Sequence, residues 1–165
     1  VLQGWSVVNI SKRTFVLVGM GLAVIGIVVV FLLAVRPHQL VTTIRIGQGV
    51  LTARVAVTDI EQQKGLGGVD KLAMHEAMLF TYSAPQHNTI WMKDMKIPID
   101  AVWLDDEKNV VHIETALQPD SYPRAYGPSE PTRYIIELAD GAVKEYNITL
   151  GTKADFTVRA AGEGV

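Results

Sequence analysis

Hydrophobic positions along the chain fall into two regimes. From Thr14 to Val35 they run together: 22 residues without a charge, 15 of them Val, Leu, Ile or Phe. Beyond Pro37 they come in short alternating or clustered runs separated by polar turns. A helix over residues 14–35 would be about 33 Å long at 1.5 Å per residue, against a bilayer hydrocarbon core of about 30 Å. Its large aliphatic and aromatic side chains favour insertion by on the order of −4 to −9 kcal/mol. A core helix apolar on every side would need more protein around it than the remaining chain supplies. The pattern therefore predicts a single transmembrane helix at 14–35, preceded by a short tail over 1–13. The run exceeds the roughly 7–15 apolar residues of a cleaved signal peptide. It ends Leu33-Ala34-Val35-Arg36-Pro37 without a small-x-small cleavage site, so an uncleaved signal anchor is expected. Lys12 and Arg13 keep the tail cytoplasmic on the positive-inside rule, and residues 37–165 are then extracytoplasmic; Arg36 and Arg45 make the bias slight. Gly19, Ala23 and Gly26 share one helical face, as in helices that approach closely, although glycine is common in membrane helices generally.

Pro37 cannot continue a helix, and the second regime begins there. Leu51–Thr58 alternates, with Leu51, Ala53, Val55 and Val57 on one face, the period of a strand. Further strands are expected at Met78–Tyr82, Thr89–Lys93, Arg133–Leu138 and Ala154–Val158. Ile99–Leu104 and Val110–Leu117 flank the polar turn Asp105-Asp106-Glu107-Lys108-Asn109 and read as a hairpin. A short helix is expected at Asp59–Lys64, ended by Gly65, and a second at Gly141–Tyr146 with Asp140 as its N-cap. The fold class is thus mainly β, a compact β-barrel or sandwich with one or two short helices behind a transmembrane helix.

Charge narrows the function. The whole chain carries a formal −2, and residues 37–165 hold 12 basic and 17 acidic side chains, a balance that speaks against nucleic acid as a partner. The absence of cysteine excludes disulfides, thiolate metal sites and cysteine nucleophiles. There is no P-loop, dinucleotide fingerprint, G-x-S-x-G or H-E-x-x-H. Asp105, Asp106 and Glu107 lack the spacing of a calcium loop and read as a solvated turn. His112 and Glu114 share a strand face but have no third ligand by spacing. No metal and no cofactor is expected. Gly65, Gly67 and Gly68 follow a short helix rather than precede a long one, and read as a turn.

The segment Ile90-Trp91-Met92-Lys93-Asp94-Met95-Lys96-Ile97-Pro98-Ile99-Asp100, with Leu104-Asp105 after it, resembles the hallmark of the family catalogued as Domain of Unknown Function 192. Lys64-Gly65-Leu66-Gly67, Ala77-Met78-Leu79-Phe80 and Ile136-Glu137-Leu138-Ala139-Asp140-Gly141 resemble its flanking motifs in the same order, over about residues 50–158. Lys64 stands for the usual Arg, Gly67 for Met and Asp94 for Asn. The resemblance implies a compact, mostly β domain, often behind a signal or anchor, and supplies no activity.

In the central segment, Trp91 and Lys93 share one strand face and Met92 and Asp94 the other. Trp91, Lys93, Asp94 and Asp100 are the ligand-binding candidates: an aromatic face stacks on a small polar molecule such as a sugar while the charges fix its hydroxyls. The competing reading makes Trp91 and Met92 core and either Lys93–Asp100 or Asp94–Lys96 a structural ion pair. No catalytic residue is assigned. The expected role is a membrane-anchored envelope domain, held in the lipid bilayer through residues 14–35, that binds or scaffolds a small polar ligand or an envelope protein. The alternative is an extracytoplasmic hydrolase using the carboxylates of Asp94, Asp100 and Glu137.

Overall fold

In a computed structural model the described residues are 39–158, together with Gly26 upstream. The expected anchor over 14–35, its tail and its small-residue face lie outside the described residues. Among the described residues, no helix is long and apolar enough to cross a membrane.

The chain from Gln39 onward forms one unit. Its strands are β1 (Val41–Ile46), β2 (Gly49–Ala56), β3 (Glu76–Gln86), β4 (Ile90–Trp91), β5 (Ile99–Leu104), β6 (Val110–Leu117), β7 (Ala125–Tyr126) and β8 (Thr132–Ala139). Helix α1 (Asp59–Lys64) follows β2, and the one-turn α2 (Ala142–Glu145) follows β8. Six strands make one sheet in the order β1-β2-β3-β8-β5-β6, and β4 and β7 pair as a separate ribbon. β2 and β3 run parallel, so α1 and the segment after it form the crossover; the other pairings within the sheet are antiparallel.

The sheet does not close, which corrects the expected barrel. Among the described residues the second sheet is only the two-stranded ribbon of β4 and β7, and it does not complete a sandwich. One reason is the C-terminal segment, expected as a strand at Ala154–Val158. Its alternation is real, with Ala154 and Phe156 buried, but it makes only isolated bridges. Asp155 exchanges both backbone hydrogen bonds with Arg45 of β1, at 2.8 and 2.9 Å. Thr152 and Ala154 bond to Val110 and Lys108 at the start of β6. An irregular segment thus spans the two sheet edges, where a strand would have sealed them.

Because neighbouring strands keep their side chains in register, the sheet has two distinct faces. Leu51, Ala53, Leu79, Val102, Ile136 and Leu138 point to one, under α2 and the C-terminal segment. Met78, Phe80, Ala101, Trp103 and Ile135 point to the other, under residues 66–72, the β4 region and Tyr126. All six residues of β5 are buried, which is how a strand covered on both faces reads: near-continuously apolar.

The hairpin β5–β6 and helix α1 form as expected. Asp105 builds the hairpin turn, its Oδ1 accepting from the amides of Glu107 and Asn109 at 2.9 and 2.8 Å. Thr58 caps α1 in a capping box with Glu61. The expected N-cap of α2 is corrected: Gly141, in a left-handed conformation, holds that position with no side-chain cap. The substitute comes from far along the chain, from Asp100 of β5. Strand β1 was not foreseen. It pairs with β2 through Gly47, whose φ of 55° and approach to the Tyr146 carbonyl leave no room for a Cβ.

Candidate functional site

The central segment divides its four candidate residues between different tasks. Asp100, in β5, is 1% exposed. Its Oδ1 accepts from the Ala116 amide and its Oδ2 from the Val143 amide, both at 3.0 Å. Val143 lies in the first turn of α2, so Asp100 supplies the cap that Asp140 does not. Ala116 has a φ of 54° in β6; the carboxylate holds that irregularity as well. Both oxygens are thus committed to backbone donors. Asp94 is exposed, has a φ of 57°, and its carbonyl accepts from the Gly68 amide at 2.8 Å. It joins the loop after β4 to the turn after α1. Lys96 pairs with Asp70 at 2.8 Å rather than with Asp94.

Trp91 and Lys93 are brought together on a cavity of about 310 Å³. Trp91 is 47% exposed and meets the Tyr122 ring edge-on at 6.2 Å. Met92, between them, is buried in the core. The same cavity is lined by Lys64, Gly65 and Leu66 at the end of α1, by Phe80 and Tyr82 of β3, and by Glu137 of β8. Gln62 ties α1 to β3, its side-chain amide donating to the Thr81 carbonyl at 3.0 Å. The helix end is thereby fixed over the sheet, and Gly65 turns the chain down onto it.

Glu137 is the residue with the least ordinary surroundings. It stands in register with Met78 of β3 and Ala101 of β5, so it points to the face that carries the cavity. It is 4% exposed, and its Oε2 has no hydrogen-bond partner. A Cβ built on Gly65 would lie 3.4 Å from that oxygen and 3.3 Å from Phe80 Cζ, a close fit, and the glycine's φ of 48° is one that residues with a side chain rarely adopt. Burial pushes the Glu137 carboxyl up to about 8; the Leu66 amide and the more distant charge of Arg54 oppose the rise. Burial, and then the charge of Glu137, push the neighbouring Tyr82 phenol up to about 12. Near neutral pH the cavity therefore contains a largely protonated carboxyl, able to donate or accept.

The register also separates two of the three carboxylates of the hydrolase alternative. Asp100 stands opposite Leu138, whereas Glu137 stands opposite Ala101. The two acids sit on adjacent strands but on opposite faces of the sheet, and no common substrate reaches both. Among the described residues no group of three His, Asp or Glu is placed to hold a metal. His112 bonds Glu114 at 3.2 Å. Two other depressions, of about 450 and 520 Å³, lack a buried carboxyl.

From sequence, Glu137 stands only in a flanking family motif and among the three carboxylates of the hydrolase alternative. The available signal was its context: one acid inside Ile135-Ile136-Glu137-Leu138-Ala139. A strand that apolar is buried on both faces, and a carboxyl inside it is then buried too.

Residues 42–156 match the protein family DUF192, described as Uncharacterized ACR. No curated protein matches the chain. Solved structures resemble it, among them two bacterial proteins. One, from Sinorhizobium meliloti, is described as a candidate transcription regulator; it is 22% identical, with a TM-score of 0.70, over 73% of this chain and 97% of that one. The other, from Novosphingobium aromaticivorans, is described as a protein of unknown function; it is 25% identical, with a TM-score of 0.64, over 73% of this chain and 90% of that one. These likenesses establish the fold, and a fold hosts many activities.

Proposed function

The chain belongs to the DUF192 family, and we propose that its domain binds a small polar ligand in the cavity beside Trp91, while residues 14–35 tether it to a membrane and residues 37–165 face the extracytoplasmic side. The observation that carries the binding reading is a buried carboxyl with one oxygen unpaired, that of Glu137, lining the same concavity as a half-exposed tryptophan and an exposed lysine. A buried polar group left unpaired costs roughly 1–3 kcal/mol, a cost that a bound ligand can offset. The cavity stands at the small end of ligand pockets, which start at roughly 300 Å³. Trp91 offers an aromatic face, and Lys93 and Lys64 offer charge at the exposed side. Asp100 and Asp94 contribute by holding the frame: one clamps α2 and β6, the other joins the two loops that border the cavity. The tether rests on the length and apolarity of the 14–35 run, and the orientation on Lys12 and Arg13 before it.

The test is a thermal-shift screen of the full chain in mild detergent against sugars, polyols, small acids, amines and amino acids. A ligand raises the melting temperature through its binding free energy. At least one chemical class is expected to do so, with the shift lost in Trp91→Ala. A library without effect on the chain would overturn the binding reading.

A further inference from the structure

The charges and rings around the cavity are not arranged at random. Its inner part is aromatic and carboxylic: Phe80, Tyr82 and Glu137. Trp91 adds a third ring. Its exposed part carries Lys64 and Lys93, and among the described residues neither lysine pairs with a carboxylate. We propose that the cavity receives a small zwitterion, with its ammonium group inward against the Glu137 carboxyl and the aromatic walls, and its carboxylate outward against Lys64 and Lys93. This rests on the ligand-binding reading and assigns the class of ligand within it.

Each end of the cavity favours this polarity. An ammonium group is attracted to aromatic faces and gives the unpaired Glu137 oxygen a donor. The terminal torsion of a glutamate is broad, so either oxygen can be turned toward the ligand. A bare amine would pass two lysines with nothing to offset their repulsion. A bare carboxylate would satisfy the lysines but leave the inner acid without a cation. A molecule with both charges meets both ends.

Binding of this kind moves a proton. The charge acting on Glu137 is that of Arg54 from β2; the neutral Tyr82 phenol of β3 stands beside it, Asp59, Lys64 and Lys93 line the same cavity, and β5 presents Ala101. In the empty site the carboxyl holds its proton near neutral pH. An ammonium group brought against it favours the carboxylate, and the proton passes to the buffer. Nothing else changes its protonation, since the amine enters already charged. Release should approach one proton per ligand near pH 6.5 and fall toward zero by pH 9, where the empty site is already ionised.

The experiment is titration calorimetry of the full chain in mild detergent, in two buffers of different ionisation enthalpy. The probes are the ω-amino acids from 3-aminopropanoate to 6-aminohexanoate, with pentanoate, pentylamine and glucose as comparators. One member of the series is expected to bind at least ten-fold more tightly than any comparator, with proton release. Glu137→Gln, which keeps the shape, should abolish the release and weaken binding at least ten-fold. Lys93→Met should bring the amino acid and pentylamine closer together. Pentanoate or glucose binding as tightly as the best amino acid, without proton release, would overturn the zwitterion while leaving a small-ligand site. Failure of the whole series to bind also overturns it, whatever the broader screen yields; only a screen empty throughout removes the ligand-binding reading as well.

Discussion

Asp100 and Glu137 are one strand apart, both nearly inaccessible, and opposite in every other respect. Asp100 gives each oxygen a backbone amide at 3.0 Å; Glu137 leaves an oxygen with no partner and faces a cavity. One acid joins three elements, β5, β6 and α2. The other weakens the unit that contains it. Burial alone therefore does not mark a functional carboxyl. Partners do: an acid whose hydrogen bonds are complete within the fold has nothing left to offer a ligand.

The comparison can be broken most sharply at Asp100. Asp100→Ala strands the buried Val143 amide and the part-buried Ala116 amide and opens a hole, and should cost about 3–5 kcal/mol, since the remaining members of the network lose their partner. The urea midpoint reads this directly. A loss below about 1 kcal/mol would mean that the clamp is dispensable.

Glu137→Gln should act the other way. A carboxyl whose folded value lies near 8 and whose ordinary value is 4.5 binds more protons in the folded chain than in the unfolded one. Stability is then fully present below about pH 4.5, falls as pH rises toward 8, and levels off above it. Glutamine removes that slope, so the variant should exceed the parent by on the order of 5 kcal/mol at pH 9 and by little at pH 4. Parallel stability–pH curves for the two would contradict the assignment.

Gly65→Ala should cost about 1–2 kcal/mol, because alanine is strained at a φ of 48° and its Cβ meets Phe80 and the Glu137 carboxyl. It should also weaken any ligand of the cavity. Lys96→Ala removes only an exposed ion pair with Asp70, and a change within about 0.5 kcal/mol is expected. If Lys96→Ala cost as much as Gly65→Ala, the loop after β4 would owe more to charge than to the Gly68–Asp94 backbone contact.

Much of the fold was legible in residue order. The period-2 run from Leu51, the hairpin around Asp105–Asn109 and the short helix α1 ended by Gly65 depend on neighbours a few positions away, and each formed near its expected place. What was not legible depends on distant contacts. The left-handed Gly141 is capped by Asp100, 43 residues earlier in the chain, and no local rule nominates it over Asp140. The C-terminal alternation is a true sign of burial, but whether it closes the sheet depends on edges formed more than forty residues away. At the site, the composition of the central segment singled out Trp91 and Lys93, which do share a cavity. It equally singled out Asp100, because a sequence shows that an acid is present but not which donors surround it.

The most direct measurement is the titration of the Glu137 side-chain carboxyl by carbon-detected NMR of glutamate-labelled protein, identified by its loss in Glu137→Gln. A midpoint near 8 is expected. A midpoint near 4.5 would mean that the carboxyl is hydrated or paired in solution, and the cavity would lose the feature on which its ligand chemistry rests.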